Sequence, residues 1–125
     1  AILAGKYDWD NWRIGNIFVT RRIGKYTEEI ELVSFGSTIS TPDAHSKLAR
    51  RGLRPADLYE LLAFGEKYPE IQLGFPIVAL GSQSEPIDPY LVPCLLGSGL
   101  RRCLDLCSIR RGPWGDSWLF AAVRK

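Results

Sequence analysis

Residues 104–125 read LDLCSIRRGPWGDSWLFAAVRK. Leu104, Leu106 and Ile109 suit the core side of a strand, and WLFAAVR at 118–124 suits a closing strand. The segment between them, RRGPWGDS, has the glycine and proline of a loop and carries Trp114, with Trp118 just beyond it. Side chains alternate along a strand, so Cys103, Asp105 and Cys107 are expected to point away from the leucines. A solvated strand face normally carries Thr, Lys, Glu or Gln, and this one carries none of them.

Reading outward, the same β character begins after Phe75. PIVALG is a short apolar run that predicts a buried strand, and SQSEPIDP is a turn-rich loop with two prolines. YLVPCLL predicts a second strand, GSG a turn, and LRRCLDLCSI a third strand. Upstream lie two helix signals. Thr41 can cap a helix with Pro42 and Asp43 in its first turn and Gly52 beyond its end. A second helix starts at Pro55, buries Leu58, Leu61, Leu62 and Gly65 on one face, and stops at Tyr68-Pro69. The two helices together span about 43–68. Further back, Ile17–Val19 is a short β-rich run, and EEIELVSFG alternates Ile30, Leu32 and Phe35 with polar neighbours. The expected fold is α+β, with two helices packed on a small antiparallel sheet, in a single domain over 1–125.

A chain of 125 residues, 46% apolar and 24% charged, can bury a core without covalent staples. No apolar run reaches the roughly 18 residues needed to span a bilayer. The chain opens at Ala1 without a methionine, which implies a trimmed start. Net charge is +2, with residues 1–85 slightly acidic and residues 86–125 basic. Three cysteines, Cys94, Cys103 and Cys107, all lie in the last third, and an odd count argues against a closed disulfide framework. On a strand, Cys103 and Cys107 lie about 13 Å apart. That is too far for them to share a zinc ion or a disulfide.

Composition separates the end of the chain from the rest. Residues 1–85 contain four Lys, seven Glu and two Gln, so residues 86–124 should hold about six such residues at the same rate; they hold none. Burial in strands removes some Lys and Glu, yet arginine and aspartate persist in the same window. The frame FPIVALGS, VPCL, LDL, Trp, FAAVRK resembles the variable proteins of diversity-generating retroelements, the small ones with a C-type lectin fold. In that family a reverse transcriptase rewrites adenines of a template, so AAC codons become NNC. NNC excludes Lys, Glu, Gln, Met and Trp. The resemblance covers about residues 40–125 and implies a C-type lectin-like fold with a variable region at about 90–120. Trp114 and Trp118 cannot arise from NNC and are expected to be fixed core residues.

The resemblance implies non-catalytic recognition of a protein or cell-surface ligand, in a setting such as cell-surface or virion display. Strand alternation nominates Cys103, Asp105 and Cys107 for the binding face. The adjoining loop adds Ser108, Arg110, Arg111, Gly115 and Ser117, and the preceding turn Leu96 and Ser98. No cofactor or metal is expected. Calcium-dependent C-type lectins use Glu-Pro-Asn and Trp-Asn-Asp stretches. Here Glu85-Pro86-Ile87 and Trp114-Gly115-Asp116 lack both asparagine carbonyls, leaving Glu85, Asp88 and Asp116 as loop carboxylates. Formylglycine-generating enzymes share the broader fold and use paired cysteines, but the Cys103–Cys107 spacing does not suit such a pair. His45, the single histidine, has no acidic or nucleophilic partner at motif spacing, so no catalysis is expected. The alternative reading is a small basic nucleic-acid-binding domain using Arg101, Arg102, Arg110, Arg111 and Arg124.

Overall fold

The computed structural model describes residues 9–10, 30–81 and 91–125. The early β-rich run at 17–19 and the loop carrying Glu85 and Asp88 lie outside these residues. In chain order the elements are β1 (Trp9–Asp10), β2 (Glu31–Val33), α1 (Thr41–Arg50), β3 (Leu53–Pro55), α2 (Leu58–Lys67), α3 (Ile71–Gly74), β4 (Ile77–Val78), β5 (Leu91–Ser98), β6 (Arg101–Ser108) and β7 (Leu119–Arg124). A single 3-10 turn, Ile109–Arg111, follows β6.

Among the described residues the strands form one sheet in the order β1-β6-β5-β4-β7-β2, with β3 also paired to β7. Ala122 of β7 pairs with both Glu31 and Pro55, which puts β2 on one side of β7 and β3 on the other, in line with β4. The sheet is mixed rather than antiparallel: β4 runs parallel to β7, and β1 parallel to β6. The physical reason is the route of the chain. The β5–β6 hairpin is laid outside β4, and the chain then crosses back to place β7 on β4's other edge.

The helices number three among the described residues, not two, and they cover both faces of the sheet. On one face Ala44 and Leu48 of α1 pack with Val33, Val78, Val92, Cys94, Trp114 and Phe120. On the other, Leu58, Leu61, Leu62 and Phe64 of α2 pack with Ile77, Leu95, Leu104 and Ala121. Successive residues such as Ile77 and Val78, Cys94 and Leu95, or Ala121 and Ala122 therefore serve opposite cores. Strand alternation here sorts one core from the other. It does not sort inside from outside.

Local chemistry sets the helix ends. Ser40, one residue before the expected cap, accepts the Asp43 amide on its Oγ at 3.2 Å, with Pro42 in the first turn. Gly52 follows α1 with φ of +73°, a conformation costly to residues with a Cβ. The second helix is capped by Asp57 in a full capping box with Glu60, and Pro55 belongs to β3 instead. The leucine face read from the sequence is buried, Leu58, Leu61, Leu62 and Gly65 included. Helix α3 has four residues, too few for a periodic signal.

This short helix lies directly on the hairpin. A Cβ at Gly97 would stand 2.6 Å from the Gln72 carbonyl oxygen and 2.7 Å from the Leu73 Cα. The buried Gln72 side chain donates from Nε2 to the carbonyls of Leu96 at 2.8 Å and Cys103 at 3.1 Å, tying both strands to α3. Because the obstructing atoms are backbone, Gly97→Ala is expected to lose about 1–3 kcal/mol of stability. Urea denaturation checks this, and an unchanged midpoint would mean that α3 can lift away freely.

Candidate functional site

The β5–β6 register decides which nominated residues share a surface. Facing pairs are Val92–Cys107, Cys94–Asp105, Leu96–Cys103 and Ser98–Arg101, all on the α1 side of the sheet. Their exposure rises along the hairpin. Val92 and Cys107 are buried; Cys94 is buried against a partly exposed Asp105; Leu96 and Cys103 are both partly exposed; Ser98 and Arg101 are exposed. The face thus emerges from the core toward the two-residue turn, Gly99–Leu100.

Cys107 corrects the sequence expectation. It does not stand on a solvated face but in the α1-side core, joined to Cys94 by a disulfide with Cα atoms 6.5 Å apart. The odd cysteine count pointed away from disulfides, yet two of the three pair and Cys103 is left free. Spacing along one strand ruled out Cys103 with Cys107, but a bridge across a hairpin depends on register. The chain-entropy argument gives such a bridge about 3 kcal/mol.

The connection from β6 to β7 runs back across this same face. Ile77 pairs with Leu95 on one side and Leu119 on the other, so the chain regains the row of Leu95 when β7 begins. On the way it is held at Trp114. The Trp114 amide donates to the Ile39 carbonyl at 2.7 Å, and the Ile39 amide donates back at 3.0 Å. The indole Nε1 donates to Thr41 Oγ1 at 2.9 Å. Trp118 meets the Trp114 ring edge-on at 4.7 Å between centroids and, like Leu96, packs on the α1-side core. Trp114 is core, as its type implied, whereas Trp118 is only partly buried and packs against it.

Around that anchor the connection presents its remaining residues outward. Gly115, Asp116 and Ser117 are exposed, and Trp118 closes their turn by donating to the Gly115 carbonyl at 3.3 Å. Arg110 is exposed in the 3-10 turn; of Arg111 only the backbone is described. Ser108 lies on the opposite side of the sheet from Cys107, and its Oγ accepts the Arg110 amide at 3.2 Å, an N-cap of the 3-10 turn. Asp105 accepts the Leu106 amide at 2.7 Å. Leu96, Ser98, Cys103 and Asp105 share the α1 side of the hairpin, and Gly115 and Ser117 are exposed on the loop anchored at Trp114. Arg101, facing Ser98, belongs with them, and the signal for it was the two-residue turn that sets the register.

The arginines of the basic alternative do not form one stripe. Arg101 is at the hairpin tip, while Arg102 projects from the other face and donates from Nη2 to the Gly65 carbonyl of α2 at 2.8 Å. Arg124 sits at the far end of β7, 3.4 Å from Glu31. His45 lies on the outer side of α1, where partial desolvation lowers its pKa below the usual histidine value. Among the described residues no three His, Cys, Asp or Glu side chains converge on a metal position, and no helix is long and apolar enough to cross a membrane. No protein-family model, curated protein or solved structure matches the chain.

Proposed function

We propose that this chain is a C-type lectin-like recognition module whose β5–β6 hairpin tip and β6–β7 loop form a diversified, non-catalytic binding face. One observation carries the reading: a face that is core at its root and open at its tip, crossed by a loop pinned at a single buried tryptophan. Such an arrangement lets exposed side chains vary while the frame stays fixed, which is the physics of a paratope. The gap in Lys, Glu and Gln over residues 86–124 supports the same reading from composition. The face would comprise Leu96, Ser98, Arg101, Cys103, Asp105, Arg110, Gly115 and Ser117, and its partner would be a protein or cell-surface ligand.

Two experiments test this. Sequencing the gene and its flanks is expected to find NNC codons at these positions, a near-copy with AAC there, and a reverse transcriptase gene. Cys107, as a bridge residue, is expected to be identical in the near-copy. Mixed codons with no near-copy would remove the diversification. Separately, changing Ser98, Arg101, Arg110 and Ser117 together to alanine is expected to shift stability by less than about 1 kcal/mol, because exposed positions contribute little each. A collapse of the thermal transition would make them structural and end the display reading.

A further inference from the structure

The two bridged cysteines are shut away from solvent, Cys94 completely and Cys107 nearly so, whereas Cys103 is free and partly exposed. In the register Cys94 faces Asp105, so Cys103 and Cys107 occupy the two diagonal positions that flank Cys94 on the same face. Cys94 on β5 is the apex of a triangle whose other corners, Cys103 and Cys107, lie on β6, one diagonal closed by the bridge and the other ending in a free thiol. A thiolate exchanges with a disulfide by attacking one sulfur as the other departs. Cys103 is the free thiol diagonal to Cys94 and the one of the three nearest the open end of the face.

We propose that Cys103 is the exchange thiol of a three-cysteine relay, the entry point through which the buried Cys94–Cys107 bridge is made and opened. In the oxidising direction the Cys103 thiolate attacks a small-molecule disulfide such as oxidised glutathione, forming a mixed disulfide and releasing one small thiolate. The Cys94 thiolate then attacks the Cys103 sulfur and releases the second small thiolate. Finally the Cys107 thiolate attacks Cys94, forming the buried bridge and returning Cys103 as a thiolate. Two electrons pass from Cys94 and Cys107 to the small disulfide, and the protons those two thiols give up are taken by the two released thiolates. Reduction follows the same steps backwards.

Twist decides which pairing persists. A twisted hairpin shortens one diagonal and lengthens the other. The Cys94–Cys107 diagonal, at 6.5 Å, falls within disulfide reach, so it is the resting bridge and Cys94–Cys103 the transient one. Cys103 lies two residues from the start of β6, toward the exposed end of the face, where a small disulfide can reach it.

The test compares the wild-type chain with Cys103→Ser during reduction by glutathione under native conditions at fixed pH, following bridge opening by alkylation and mass spectrometry. The serine variant is expected to open at least about tenfold more slowly, with the difference vanishing in denaturant, where every sulfur is reachable. Equal native rates would overturn the relay. Trapping gives a second test: Cys107→Ser treated with oxidised glutathione is expected to yield a Cys94–Cys103 bridge in a non-reducing peptide map. A glutathione adduct left on Cys103 beside a free Cys94 thiol would also overturn it. If Cys107→Ser does not fold, the rate comparison decides alone.

Discussion

Replacing Trp114 by alanine is expected to cost about 3–5 kcal/mol of stability, the range for truncating a large buried aromatic. The side chain is 6% exposed, lies edge-on to Trp118 and to Phe120, and donates its indole N–H to Thr41. Alanine removes all of these and leaves a cavity between α1 and the sheet. Trp114→Phe should retain most of the ring packing and lose the hydrogen bond with some volume, for about 1–2 kcal/mol. Denaturant titration of both variants checks the ordering. Hydrogen exchange adds a local readout, because the Trp114 and Ile39 amides, each bonded to the other's carbonyl, should lose protection before the strands do. An alanine variant with a wild-type midpoint would show that the β6–β7 loop is not held at this residue, and the fixed-frame argument for the binding face would fail with it.

The second large effect is expected on the opposite side of the sheet. Glu60 is 1% exposed and accepts two hydrogen bonds from the Arg54 guanidinium, at 2.9 and 2.8 Å, besides the Asp57 amide at 2.9 Å. Arg54→Met removes the cation and leaves the carboxylate in the core, which costs about 3–5 kcal/mol where a buried pair is broken from one side. Arg54 is about a third exposed on its side chain, so solvent screening puts the expected loss at the lower end, about 3 kcal/mol. The double variant Arg54→Met, Glu60→Leu should regain part of that loss, since paired apolar replacements are often neutral. Recovery is partial because Glu60 also completes the capping box of α2. A double-mutant cycle measures the coupling. Strictly additive losses would mean the two side chains act independently.

Legibility in the sequence followed the range of the interactions involved. The leucine face of α2, the glycine after α1, the hairpin strands and the closing strand were all readable, because each rests on contacts a few residues apart. Glu60 was not readable as buried: its partner Arg54 lies on β3, a three-residue strand defined by pairing with β7 rather than by any pattern of its own. The same holds for α3, four residues long, whose role is to tie Leu96 and Cys103 through Gln72. For the candidate site, Leu96, Ser98, Cys103, Asp105, Arg110, Gly115 and Ser117 were nominated and are partly or fully exposed. Cys107 was nominated by the same alternation and is core.

That last residue marks the division. Periodicity, caps and turn residues determined from sequence alone that the chain is α+β, where its two longer helices lie, and that residues 90–124 form strands around a tryptophan-bearing loop. Composition alone marked that end as unusual. Only the tertiary structure decided which of two alternating faces meets water, because here helices cover both and neither is polar by default. It also decided that Cys94 reaches Cys107, and that the loop returns over the hairpin's α1-side face. Strand alternation is a property of the backbone and is written locally. Burial is a property of what packs on each face, and for Cys94 and Cys107 that includes α1, more than forty residues away.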